Sequence, residues 1–143
     1  MPKNAKKIKR PNLSKLSDLE LAEMQNHSND WFVRHARVIL HHRASEGILD
    51  KEVVGKSLQK LANNAKTSGK KLRALWAAHV TGLLTESKKI ELLNHEDEYV
   101  RAWTIQLLCE NRKPSDKALE NFKKMAKEDP SAVAVSYTHL TLP

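Results

Sequence analysis

A chain of 143 residues with 40% hydrophobic and 29% charged residues has room for one domain or one short stack of elements, and this composition excludes collagen-like, low-complexity and wholly disordered classes. No apolar run reaches the length of a membrane span, the opening MPKNAKKIKRPN lacks the apolar stretch of a signal peptide, and the lone cysteine, Cys109, excludes an internal disulfide and a thiolate zinc cage. The net charge of +8 is concentrated: Lys3, Lys6, Lys7, Lys9, Arg10 and Lys15 precede any acid, while the rest of the chain sets nineteen bases against seventeen acids.

Residues 1–16, with Pro2, Pro11 and no hydrophobic period, read as a basic flexible arm or linker outside the core. Such a run can bind phosphate or an acidic partner, and its ordinary reading is a solvated like-charge segment. Helical repeats are expected over 17–134. The SDLE sequence gives a capping box, with Ser17 accepting from an early amide and Glu20 reaching back, and predicts a short helix to about Gln25. The polar NHSND cluster then caps a helix carrying Phe32, Val33, Ala36, Ile39 and Leu40, stopped by Gly47. After Asp50, Val53, Val54, Leu58, Leu61, Ala62 and Ala65 recur at three and four. A helix from Lys70 to Leu84 follows, with Leu72, Leu75, Trp76, Val80 and Leu83 on one face and Gly82 in its last turn.

A short ESKKIELLN segment leads to a helix in HEDEYVRAWTIQLLCEN, whose Glu96, Asp97 and Glu98 complement the positive end of the helix dipole. Pro114 and Ser115 open a final helix to about Lys127, with Ala118, Leu119, Phe122, Met125 and Ala126 in its stripe. The fold class is therefore all-α, with about seven helical segments and no convincing strand before residue 133.

Aligned on their arginines, NDWFVRHARVIL (29–40) and EDEYVRAWTIQL (96–107) match without a gap, pairing Asp30 with Asp97, Val33 with Val100 and Arg34 with Arg101. Between them, Leu72 and Arg73 take the places of the Val and Arg. This pattern of an Asp cap, an aromatic, Val, Arg and later Leu resembles the HEAT repeat, an α-solenoid of ARM-type helix pairs. In such arrays each pair buries its apolar face against the next. The resemblance implies that Asp30, Val33, Arg34, Leu72, Arg73, Asp97, Val100 and Arg101 are structural stacking residues.

Residues 15–130, through LSKLSDLELAEMQNHSNDWFVRHARVIL, LRALWAAHVTGLL and LLNHEDEYVRAWTIQLLCENRKPS, are more specifically similar to the helical-repeat region of bacterial membrane-bound dehydrogenases of the planctomycete type. That resemblance implies an upstream β-propeller, a downstream c-type haem domain and a periplasmic or cell-envelope location. The chain has no Cys-x-x-Cys-His and no propeller repeat, so haem c is expected only in a further domain and no cofactor in this chain. The last residues, VSYTHLTLP (135–143), resemble a translated sequencing adapter and are set aside from the fold as a non-native tail. As a genuine tail their Val, Tyr and Thr would favour a strand, with no sheet to join. On this reading the chain is a fragment whose face around Leu119, Phe122 and Met125 has lost its covering repeat, which predicts self-association.

Catalytic signatures are missing. His35 and His42 lie two turns apart on one helix but have no Cys or acid at ligand spacing, and no phosphate loop, nucleophile elbow or metalloprotease motif is present. Trp31, Trp76 and Trp103 read as packing residues and Cys109 as a small buried hydrophobe. The expectation is a non-catalytic scaffold whose partners are flanking redox domains or another protein. The alternatives are a nucleic-acid-binding repeat protein that uses the basic arm, or a free-standing interaction module.

Overall fold

The computed structural model describes residues 11–141, and every element among them is helical. The basic cluster Lys3–Arg10 of the expected arm lies outside these residues. A 3-10 turn at Leu13–Lys15 precedes α1 (Asp18–Glu23), and a second at Met24–Asn26 leads to α2 (Asp30–Ser45). Six helices follow: α3 (Lys51–Asn64), α4 (Ser68–Val80), α5 (Glu86–Leu92), α6 (Glu98–Leu108), α7 (Asp116–Glu128) and α8 (Ala132–Thr141).

The helices start where side chains satisfy their free amides. Ser17 and Glu20 form the expected capping box of α1, and Asn29, Asp50, Thr67, Thr85, Asp97 and Ser115 cap α2 to α7 in turn. Ser131 Oγ accepts from the Ala134 N–H at the start of α8. Three of the turns joining helices share one design: Gly47, Gly82 and Arg112 have positive φ, each three residues before the caps Asp50, Thr85 and Ser115. At the first two, the next two amides both donate back to one carbonyl, that of Arg43 or of Ala78. Gly82 thus lies outside α4, which ends at Val80, two residues beyond the helix rather than in its last turn.

Packing runs between neighbours. The even-numbered helices pack one on the next, α2 on α4, α4 on α6 and α6 on α8, while α1 packs on α2 and α3, α3 lies against α4, α5 against α6, and α7 against α8. The buried residues accordingly fall into three groups. Leu21, Ala36, Leu40, Val54, Leu58 and Ala77 fill the first. Leu72, Leu75 and Val100, with Trp76 and Trp103 against them, fill the middle. Leu93, Ile105, Ala118, Phe122, Met125 and Ala134 fill the last.

Three expectations are corrected here. The first concerns the arm, which stops short of residue 16: Leu13 is only 2% exposed and belongs to the first core group. Arg43 draws that segment in, donating to the Ser14 and Leu16 carbonyls and to Asp18. The second concerns the conformation of the adapter-like string, not its origin: residues 135–141 are helical and form most of α8, with Thr138 fully buried beside Ala134. Burial on α6 and α7 overrides the strand preference of Val, Tyr and Thr there. The third follows from it: α8 packs on α7, so of the face around Leu119, Phe122 and Met125 the last two are buried and Leu119 is partly buried among the described residues.

Candidate functional site

The repeat-signature residues gather at the N-terminal ends of the even-numbered helices, where polar contacts link one turn to the next. Arg73 on α4 reaches back to α2, donating to the His27 carbonyl at 2.9 Å and to Asp30. Asp97, the cap of α6, accepts from Ser68 Oγ at 2.8 Å and lies 3.8 Å from Lys71 Nζ, both at the start of α4. Arg101 donates from Nη1 to the carbonyls of His95 and Glu96, and from Nε and Nη2 to the two carboxylate oxygens of Asp129, each at 2.8 Å. Ser131 donates to Glu98 across the same junction. Val33, Leu72 and Val100 are buried beneath this seam.

Arg34 does not join it. Its side chain is exposed and has no hydrogen-bond or ion-pair partner among the described residues. The gapless alignment on the two arginines is out of register by one residue, for a physical reason visible in the turns. His27 Nδ1 accepts from the Asn29 N–H at 3.0 Å, and His95 Nδ1 from the Asp97 N–H at 2.9 Å. These turns superpose Asn29, not Asp30, on Asp97 and place buried Val33 on buried Arg101 and Ala36 on Thr104. Asp129 takes the histidine's role before α8, accepting from the Ser131 N–H at 2.8 Å. The repeated Asn-His-x-Asx string at 26–29 and 94–97 is the sequence signal for this register. Asp129, Ser68 and Lys71 carry no local signal, because they act across the interface between pairs.

Electrostatics along the seam favours these states. Burial pushes the Asp129 carboxyl up, but the hydrogen bonds from Arg101 and the Ser131 amide, with the Arg101 charge, outweigh it and hold its pKa below the usual value. Asp97 behaves alike: burial raises it, and Ser68, the Tyr99 and Val100 amides and Lys71 lower it further. The His95 imidazole is held below its usual value by burial first and by Lys71 next, against the pull of Asp97 and Glu96.

The three tryptophans divide. Trp76 and Trp103 meet edge to face, centroids 4.9 Å apart, as packing residues do. Trp31 does not: it is 41% exposed and stacks on His35 at 5.0 Å. Cys109 is half-buried against the last core group. His41 Nδ1 lies 2.8 Å from the Val80 carbonyl, and His79 pairs with Glu110. Among the described residues no group of three or more His, Cys, Asp or Glu is arranged to hold a metal ion, and no helix is long and apolar enough to cross a membrane. A groove of about 620 Å³ opens between α3, α4, α5 and α6, floored by Leu58, Ala74, Leu75 and Ala78 and rimmed by Lys71 and Lys88. No family model, curated protein or solved structure matches the chain.

Proposed function

We propose that the chain is a non-catalytic helical-repeat scaffold of HEAT type, one segment of a solenoid that spaces or docks other protein domains. The observation that supports it most is the polar seam: Arg73 to Asp30, Ser68 and Lys71 to Asp97, and Arg101 to Asp129 tie successive helix pairs end to end. An array held this way is a sum of neighbour contacts, suited to presenting an extended surface and to holding its two ends at a fixed separation. In the fuller form of this reading the domains it spaces are the redox domains of a bacterial membrane-bound dehydrogenase with a c-type haem domain, placed in the cell envelope. That form rests on the resemblance read from the sequence of residues 15–130 alone.

Two experiments test it. Reading the source gene through both flanks is expected to show further helix pairs and a Cys-x-x-Cys-His downstream, with a propeller upstream. A frame that starts at Met1 and stops after Pro143 overturns the redox parent. In the full-length product, deleting residues 13–141 is expected to lower cross-linking between the flanking domains while each keeps its own fold. Unchanged cross-linking overturns the scaffold.

A further inference from the structure

Behind α4 the outer layer of helices is interrupted. α1 packs on α3, but α3 and α5 do not pack closely on each other, and α5 has seven residues where α3 has fourteen. The groove of about 620 Å³ lies between them, over the back of α4. Contacts fix both of its ends. At one end Gly55 of α3 faces Leu83, whose amide donates to the Ala78 carbonyl at 2.9 Å and so stays at the last turn of α4. At the other end Lys71 Nζ lies 3.8 Å from Asp97 Oδ2, and His95 Nδ1 accepts the Asp97 N–H at 2.9 Å. Lys71 and Ala78 lie two turns apart on α4, so about 10 Å of floor, through Ala74 and Leu75, separates the ends.

The groove is thus apolar along its length and cationic at one end. Lys71, Lys88 and His95 are its ionisable lining residues, and no carboxylate lines it. The acids that these lysines meet lie outside the lining: Glu96 at 3.1 Å from Lys71 is 83% exposed, and the Lys88–Glu91 pair stands in solvent. Exposed pairs of this kind contribute little, so an anion seated in the groove can replace Glu96 at Lys71 at small cost. With Nδ1 accepting, the neutral His95 ring carries its proton on Nε2 and supplies a second donor. Gly55 has a bearing on the same space. A glycine inside a helix forgoes stability that alanine supplies, and here a Cβ would meet nothing nearer than Leu83 Cδ1 at 4.0 Å. The missing side chain keeps that end of the groove open.

We propose that this groove binds a medium-chain fatty acid. Its carboxylate lies at Lys71 and His95, and its alkyl chain runs over Ala74, Leu75 and Ala78 toward Gly55 and Leu83. A largely apolar space of this volume with a few polar groups has the make-up of a small-ligand site, and one anion joined to one unbranched chain matches both its charge and its apolar length. The site goes beyond the scaffold reading and does not depend on it.

The test is titration of the whole chain with decanoate, octanoate and 1-decanol, followed by backbone amide NMR, with a melting curve for each variant as the check on folding. Decanoate is expected to shift amides of α3, α4 and α5 that line the groove. Octanoate, two methylenes shorter, is expected to bind roughly tenfold more weakly, and 1-decanol, which keeps the chain without the charge, also roughly tenfold more weakly. Lys71→Met is expected to bring decanoate down to the level of 1-decanol and to leave 1-decanol unchanged. Gly55→Leu, whose side chain enters the open end, is expected to abolish binding of both without lowering the melting temperature, and Ala78→Leu plugs the same end from α4. Absence of decanoate binding at millimolar concentration overturns the site. Equal affinity for decanoate and 1-decanol overturns the carboxylate end, and undiminished binding in the folded plugged variants overturns the groove as its location.

Discussion

Arg101 and Asp129 face each other through two parallel hydrogen bonds of 2.8 Å, with their side chains only 11% and 5% exposed. The same guanidinium also satisfies the carbonyls of His95 and Glu96, so one side chain ties the turn entering α6 to the turn entering α8. Removing either partner strands the other charge away from water. Asp129→Ala or Arg101→Ala is expected to cost about 3–5 kcal/mol, measured by urea unfolding near neutral pH. A loss below about 1 kcal/mol is what an exposed pair would give and would contradict the buried geometry.

Acid should act through the same carboxylates. Asp129 and Asp97 have folded pKa values below their ordinary value of 3.8, so the unfolded chain takes up protons first as pH falls. Their contribution is fully present above the unfolded value and is lost as pH drops through the lowered folded values. Melting temperature should therefore decline more steeply below about pH 4 in the parent than in Asp129→Asn; parallel curves would show that Asp129 carries no linkage.

A separate, milder loss is expected nearer neutrality. His95 has a folded pKa below 6.5, and its unprotonated Nδ1 accepts the Asp97 amide. Stability from this group is present above the unfolded pKa and declines as pH falls from about 6.5 toward the folded value. His95→Asn, which can accept the same amide as Asp129 does before α8, should flatten this part of the profile. Melting curves between pH 8 and pH 5, outside the carboxylate range, read it directly.

Backbone substitutions separate the turns from the helices. Arg112 has φ of 54° without being glycine, so Arg112→Gly should stabilise by roughly 0.5–1 kcal/mol, while Gly82→Ala at φ of 72° should destabilise by about 1 kcal/mol. Gly55 sits inside α3, where an alanine methyl would meet nothing nearer than Leu83 Cδ1 at 4.0 Å, so Gly55→Ala should stabilise by about 0.5–1 kcal/mol. Thermal or denaturant midpoints of the three variants measure all three signs.

Phe122 is fully buried in the last core group. Phe122→Ala is expected to cost about 3–5 kcal/mol, and its effect should be local. Amide hydrogen exchange should quicken in α6, α7 and α8 while α1 to α3, which belong to the first group, keep their protection. Equal acceleration throughout would show a single cooperative core.

The helices are legible in the sequence because their starts depend on residues close together in the chain. Ser17 with Glu20, Asp50, Asp97 and Ser115 are all caps that the order of residues announces. The register between repeats is not, because Val-Arg occurs at both 33–34 and 100–101, and identical letters do not guarantee identical surroundings. Arg34 meets solvent and Arg101 meets Asp129; only the histidine turns, by their hydrogen bonds, fix the true correspondence. The helix over 132–141 is hidden because strand-favouring side chains have no helical signal of their own, and it depends on the surfaces of α6 and α7. Asp129, Lys71 and Arg37 act on partners distant in the chain, which no local pattern reveals.

The recurrence of one turn has a genetic consequence. Gly47 and Gly82 lie thirty-five residues apart, as do the caps Asp50 and Thr85 that follow them, so both ends of that interval present the same bend and the same cap position. Unequal recombination between two such points would delete or duplicate a whole helix–turn–helix unit and leave an intact bend at the seam. The third bend, at Arg112, comes thirty residues after the second and has no glycine. Length in such a gene can change by whole units, with the mutational burden falling on the few side chains that bridge one unit to the next.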